Sequence, residues 1–248
     1  MMNDFDGLTA LVTGGASGIG AATASLLHER GARVAILDQA FGDDDPRFLS
    51  LSCDITDTQG VVRAVTLVAE KLGGIDILIN NAGIGAVGDI TANGDDEWHQ
   101  VFDVNVIGIA RVSRAAIPFL RESNSASIVN TCSVVATIGL PNRALYSASK
   151  GAVAALTRAM AVDHLSEHIR VNAVVPGTAD TPWVAKLLED SGDATAEAKS
   201  LRARQPMGRL VTPREIANAI AYLASPASSS TTGTLLSVDG GMTGVRNQ

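Results

Sequence analysis

A chain of 248 residues suffices for one α/β domain with a sizeable core. That core must be aliphatic, because 46% of the residues are hydrophobic and only 4% aromatic, a composition suited to parallel strands covered on both faces. The net charge of −7 argues against nucleic-acid or anionic-membrane partners.

Short β-branched and aliphatic runs alternate with longer helical stretches. This rhythm predicts a parallel sheet with right-handed crossovers. The first strand, near 8–13, leads into Thr13-Gly14-Gly15-Ala16-Ser17-Gly18-Ile19-Gly20, which opens a helix over 18–30. Glycines let the backbone approach a pyrophosphate, while the helix start offers free amides and a positive dipole. Gly14, Ser17, Gly18, Ile19 and Gly20 are therefore candidate dinucleotide contacts. The second strand, 33–37, ends in Asp38, placed to accept from ribose hydroxyls and to repel a 2′-phosphate. With no Arg or Lys in the glycine loop, NAD is favoured over NADP.

Gly42-Asp43-Asp44-Asp45-Pro46 reads as a solvated turn before a strand at 47–52. Asp54-Ile55 follows; it either lines an adenine pocket or caps the helix expected at 57–72. The strand at 75–80 ends in Asn80-Asn81-Ala82-Gly83. Ligands of open parallel sheets lie beyond the strands' carboxyl ends, so Asn81, Ala82 and Gly83 fall beside the cofactor. A helix at 97–122 and a strand at 126–132 bring the chain to Ser133. Cys53 and Cys132 each close an apolar run and read as buried free thiols, as in a reducing cytoplasm.

A helix over 145–167 puts Tyr146 and Lys150 one turn apart on one face. The ammonium would draw the phenol down from its usual value of about 10, making Tyr146 an acid or base for carbonyl/alcohol conversion. Ser133 would hydrogen-bond the same substrate oxygen. Arg143, three residues before Tyr146, borders the substrate mouth. His164 and His168 are one turn apart, but no third ligand accompanies them, so a solvated helix end is preferred and no metal is expected.

A strand at 169–175 ends in Pro176-Gly177, at the same sheet edge. Residues 178–211 exceed an ordinary connection and carry Pro182, Gly192, Pro206 and Gly208, which suggests a lid of short helices between hinges. Thr212, Pro213 and Glu215 predict a capping box for a helix at 213–224, before a last strand at 234–238. Arg204, in the lid, and Arg143 suit a carboxylate gripped from two sides, or else form surface salt bridges. Trp183 either walls the pocket or anchors the lid. No repeat or long linker divides the chain, so residues 1–248 are expected to form one domain. No apolar stretch reaches the roughly 20 residues a bilayer requires. The acidic N-terminus shows no signal-peptide pattern, so a soluble cytoplasmic protein is expected.

Taken together, Thr13–Gly20, Asp54, Asn80–Gly83, Asn105, Ser133, Tyr146, Lys150, Pro176-Gly177 and Val238-Asp239-Gly240-Gly241 resemble the short-chain dehydrogenase/reductase family over essentially the whole chain. The resemblance implies a single-domain, Rossmann-like doubly wound sheet of about seven strands and a homotetramer joined through the helices of Asn105 and Tyr146 and through the C-terminus. It also implies a catalytic tetrad of Asn105, Ser133, Tyr146 and Lys150. In that tetrad Lys150 also holds the nicotinamide ribose and Asn105 anchors a relay water. Thr181 and the Ala179 backbone would hold the carboxamide. The segments around Arg143, Trp183 and Arg204 are similar to those of NAD-linked dehydrogenases of 2-keto-3-deoxy sugar acids and of 3-hydroxybutyrate type. An oxidoreductase acting on a small hydroxy acid or sugar acid is the leading expectation. The alternatives are a 3-oxoacyl-thioester (acyl carrier protein) reductase and a non-catalytic NAD-sensing protein.

Overall fold

A computed structural model describes residues 3–42, 45–189 and 192–245. Asp43 and Asp44 of the acidic turn lie outside the described residues, as do residues 190–191 of the lid. Among the described residues, seven strands form one parallel sheet: β1 (Thr9–Thr13), β2 (Arg33–Asp38), β3 (Phe48–Ser52), β4 (Ile77–Asn80), β5 (Ser127–Thr131), β6 (Arg170–Pro176) and β7 (Leu235–Val238). Their order is β3-β2-β1-β4-β5-β6-β7. The chain thus builds outward from β1 in one direction, then returns to start again at β4. All residues of β1, β4 and β5 are buried, as central parallel strands must be.

Side chains alternate between the two faces of each strand. Ala10, Val12, Ile77 and Ile79 pack beneath α1 (Gly18–Glu29) and a C-terminal helix at Pro213–Ala224. Leu11, Leu78 and Ile128 face the other way, towards α2 (Thr58–Leu72) and the helices that follow β4 and β5. The strand positions read from the sequence agree with the structure to within two residues.

Two helices depart from expectation. The single helix expected at 97–122 is α3 (Asp95–Phe102), a π-helical turn at Asp103–Ile107, and α4 (Gly108–Leu120). The wider turn is closed by the Gly108 amide on the Asp103 carbonyl. It buries Asn105 completely. The helix expected at 145–167 is α5 (Ala144–Asp163), followed by a 3₁₀ turn at Leu165–Glu167 and by His168 in a left-handed conformation. His164 is taken by Glu167 at 2.7 Å, and no metal-ligand cluster occurs among the described residues.

The segment expected to form a lid carries two short helices, α6 (Pro182–Glu189) and α7 (Ala194–Ala203). Its two ends are tied together. Asp180 donates to the Val211 carbonyl and Val211 to the Thr178 carbonyl. Gln205, 1% exposed, donates from Nε2 to the carbonyls of Thr178 and Arg209. Immediately after this clasp, α8 (Pro213–Ala224) begins with the capping box predicted for Thr212 and Glu215. Replacing Thr212 by Ala should cost about 1 kcal/mol. That loss should appear as a fall of roughly 2–4 °C in Tm by calorimetry; an unchanged Tm would remove the cap from the stability of this end.

Candidate active site

The reversal of strand order between β1 and β4 leaves a crevice beyond their carboxyl ends. Asn81 closes its floor. The Asn81 carboxamide donates to the carbonyls of Thr13 and Gly14 at 3.2 and 3.0 Å and accepts from the Thr131 hydroxyl at 3.3 Å. Thr13 Oγ1 in turn accepts from the amides of Asn81 and Ala82. Deeper, Asn80 donates to Ser113 and Asn130, and Asn130 to Thr157, which ties both strands to α4 and α5. In the sequence Thr13 only opens the glycine motif; its bracing role shows once β1 and β4 are neighbours.

Above this floor lies a cavity of about 460 Å³. At one end it is lined by Gly14, Ser17, Gly18 and Ile19. Gly20 packs so tightly that a Cβ there would lie 2.0 Å from the Gly14 carbonyl oxygen. Helix α1 begins with no side-chain cap and no acidic residue in its first turn, so its amides and dipole remain for an anion. Asp38 lines the same end, accepting from the amides of Ala16 at 3.0 Å and Gln39 at 2.8 Å. Those bonds hold the carboxylate facing the loop. This donor and acceptor set fits a dinucleotide, with the pyrophosphate at the start of α1 and a ribose at Asp38.

Asp54 and Ile55 also line the cavity. The Asp54 carboxylate accepts from the Thr56 amide and hydroxyl, both at 2.8 Å, and these bonds hold it below the usual carboxylate range. Asp57, not Asp54, caps α2. Asp54 therefore shapes a turn while lining the cavity. Ala82, Gly83, Pro176, Gly177, Ala179 and Thr181 line the middle of the cavity with Asn81. Thr181 faces Gly18 across the crevice, and its hydroxyl accepts from the Val184 amide at the start of α6.

Ser133, Tyr146 and Lys150 converge at the other end. Ser133 immediately follows β5, and α5 carries the other two. The Tyr146 residue keeps some exposure to the cavity, but its hydroxyl is deep; burial pushes the phenol up to about 12, opposed by its hydrogen bond with Ser133. Burial also pushes Lys150 down to about 8. The expected lowering of the phenol by the ammonium is not found in this geometry. Lys150 Nζ donates to the Thr131 carbonyl at 2.8 Å and lies 5.8 Å from the centre of the Tyr146 ring. At neutral pH Tyr146 is thus a proton donor, held beside a lysine that still carries its charge.

Asn105 does not reach this cluster directly. Its carboxamide accepts from the Ile84 amide at 2.8 Å and donates to the Ile84 carbonyl and to Ser149 Oγ. Ser149 in turn donates to the Tyr146 carbonyl at 2.8 Å. Asn105 therefore fixes the β4 loop and the first turn of α5, a relation invisible without the π turn.

The substrate candidates do share the cavity. Arg143, at the start of α5, is pinned because the Gly88 amide donates to Asn142 O and the Ala144 amide to Gly88 O. Burial lowers its pKa, and Arg204 lowers it further, which puts the two guanidiniums within electrostatic reach of each other. Arg204 pairs with Glu197 only loosely, at 3.8 Å. The alternative of plain surface salt bridges does not hold for Arg143, whose side chain donates instead to the Asn142 carbonyl. Trp183 is 50% exposed but lies on Gly85, where a Cβ would come within 2.3 Å of the indole. It both walls the mouth and anchors the lid. Val184, Leu187 and Leu201 also line the cavity; they escaped the sequence reading because short lid helices show few turns of periodicity.

The lysine offers a test by pH. Unfolded, Lys150 binds its proton up to its ordinary 10.5, whereas folded it releases it near 8. Between those values the unfolded chain holds the extra proton, so this group makes stability rise with pH there and leaves it flat below 8. Lys150→Met should abolish that rise. Comparing urea midpoints of both proteins at about pH 7 and about pH 10 checks it; equal pH slopes would mean the lysine is not desolvated.

Compared with known proteins, residues 14–243 match the model of a family described as enoyl-(acyl carrier protein) reductase. The chain is 43% identical over 251 residues to cis-4-hydroxycyclohexanecarboxylate dehydrogenase of Sinomonas cyclohexanicum, covering 95% of this chain and 96% of that protein. It is 36% identical over 243 residues to 2-keto-3-deoxy-L-fuconate dehydrogenase of Xanthomonas campestris pv. campestris, covering 95% of this chain and 80% of that one. The ligand-free aldohexose dehydrogenase of Thermoplasma acidophilum has the same fold, with a TM-score of 0.91 and 35% identity over the whole of both chains.

Proposed function

The chain belongs to the short-chain dehydrogenase/reductase family, and within it we propose an NAD(H)-dependent enzyme that interconverts a secondary alcohol and a ketone on a small hydroxy acid or sugar acid. One observation carries the reading. The Ser133–Tyr146 hydroxyl pair stands in the same cavity as the capless start of α1 and the Asp38 carboxylate. A nicotinamide dinucleotide bound there would supply or accept the hydride.

The protein's own residues do the rest. Ser133 and Tyr146 hold the substrate oxygen between two hydroxyls, and Tyr146 gives it a proton in reduction or takes one in oxidation. Two hydrogen bonds on that oxygen stabilise the charge that develops there. Lys150, fixed by Thr131, supplies positive charge behind the phenol ring and a donor for a ribose. Asn105 and Ser149 position Tyr146 through its backbone. The lid narrows access of water to the reacting atoms.

NAD is preferred over NADP because a 2′-phosphate at Asp38 would meet a carboxylate already anchored by two backbone amides. The acid in the substrate follows from Arg143 and Arg204, and two relatives named for carboxylic-acid or sugar-acid substrates support it. The family description, which names an acyl carrier protein, favours a second reading, reduction of the 3-oxo group of an acyl chain held as a carrier thioester. The net charge of −7 and Asp38 weigh against it, since an acidic carrier calls for a basic docking face. A pure NAD sensor would have no use for the buried acid on Tyr146. The assembly this reading implies is a homotetramer; exposed Ile107, beside Asn105, and Val162 on α5 offer apolar surface for it. Among the described residues no helix is long and apolar enough to cross a membrane.

Tyr146→Phe should lower kcat by at least about 100-fold with NAD affinity nearly unchanged, measured by NADH absorbance and by calorimetric titration. Retained turnover would eliminate the proposed chemistry. The wild-type protein should bind NAD at least about tenfold more tightly than NADP, a gap of about 1.4 kcal/mol, and Asp38→Ser should shrink the gap. A preference for NADP in the wild type would overturn the cofactor assignment.

A further inference from the structure

The reacting end of the cavity is sharply divided in polarity. Once the residues assigned to the dinucleotide and the β6 turn beside it are set aside, the polar side chains are Thr131, Cys132, Ser133 and Tyr146 at the base, the first two already bonded to Asn81 and to the Lys150 carbonyl, and Arg143 and Arg204 towards the lid, with the Trp183 indole at the rim. The remaining wall is hydrocarbon: Val135, Leu140, Val184, Leu187 and Leu201. Val184 and Leu201 are almost fully buried, at 3% and 2%.

Glu197 and Leu201 of lid helix α7 and its C-cap residue Arg204 follow at a spacing of four and then three residues, along one face. A guanidinium thus follows directly upon an apolar wall. The charge is also unbalanced here: Arg143 and Arg204 share one loosely held carboxylate, Glu197. The imbalance suits an anion at this end of the site, and the side chains of the wall leading to it, Val135, Leu140, Val184, Leu187 and Leu201, offer a hydroxyl no partner.

Resting on the dehydrogenase reading above, we propose that the substrate is a hydroxy acid whose carbinol and carboxylate are separated by a hydrocarbon segment, and that polyhydroxylated acids are excluded. The carbinol lies at Ser133 and Tyr146, the hydrocarbon against the leucine and valine wall, and the carboxylate between Arg143 and Arg204. A sugar acid threaded the same way buries hydroxyls against those side chains, each losing water without a side-chain partner to replace it. The reaction balances within the proposed activity. The carbinol hydrogen leaves with the C–H electron pair to the oxidised dinucleotide, the O–H proton goes to the Tyr146 oxygen as that phenol gives up its own proton to solvent, and the carboxylate is unchanged.

The test uses the purified protein with NAD and three probes: 4-hydroxycyclohexanecarboxylate, 4-methylcyclohexanol and gluconate. The expected kcat/KM order puts the ring acid first, with gluconate at least about 100-fold lower. Arg204→Gln should reduce the ring acid's advantage over the neutral alcohol at least about tenfold, the scale of one lost charge-assisted contact. Leu187→Asn, a change at a half-buried lid position, should narrow the gap between ring acid and gluconate. Gluconate within about tenfold of the ring acid would overturn this inference while leaving the dehydrogenase reading intact. Equal rates on acid and neutral alcohol would overturn the carboxylate assignment and this inference with it. Absence of NADH from all three would count against the dehydrogenase reading itself.

Discussion

The site depends on one junction, the place where β1 and β4 lie side by side although sixty-odd residues of chain separate them. Hydrophobic burial brings the strands together, but it does not specify how the turns above them meet. Asn81 and Thr13 do. Their hydrogen bonds run from one turn to the other and onward to Thr131, whose carbonyl receives Lys150. The glycine loop, the floor of the crevice and the lysine are thereby built on a shared set of backbone groups. Such a buried network confers geometric precision because each member would be expensive to leave unbonded.

Around that junction the protein separates charge. A chain with a net charge of −7 gathers Lys150, Arg143 and Arg204 on one cavity while keeping Asp38 at its far end. A ligand with a negative segment near each cation and ribose hydroxyls near the aspartate is thus sorted end from end before any close contact forms. Burial then sets the protonation states. Both Tyr146 and Lys150 are displaced towards their neutral forms, which makes the phenol a retained acid in this geometry.

Much of this was legible in the sequence. The strands announce themselves through short β-branched runs, and each candidate motif follows a strand end, so all of them fall on one edge of the sheet. The capping box at Thr212 and Glu215 is a local signal and was read correctly. Three features were not legible. The π turn interrupts a continuous apolar pattern, Val101 through Ile109, that an ordinary helix would display equally well. The displacement of the phenol comes from the burial of its hydroxyl between β5 and α5, which no local run of residues displays. The apolar wall comes from lid helices of eight and ten residues, too short for their periodicity to declare a face.

The π turn also constrains the length of the chain. In an α-helix each residue advances the direction of the side chains by about 100°, and the wide turn at Asp103–Ile107 absorbs one residue more than an ordinary turn. Excising any single residue there would let the segment relax into a regular helix. Either Asn105 would then swing off Ile84, or α4 would rotate its buried stripe, Ile109, Val112 and Ala116, out of register with the sheet. Point changes on the outer surface of α4 carry no such penalty. Homologous sequences should therefore keep the residue count of this stretch and the buried Asn105, while the outward-facing positions of α4 vary.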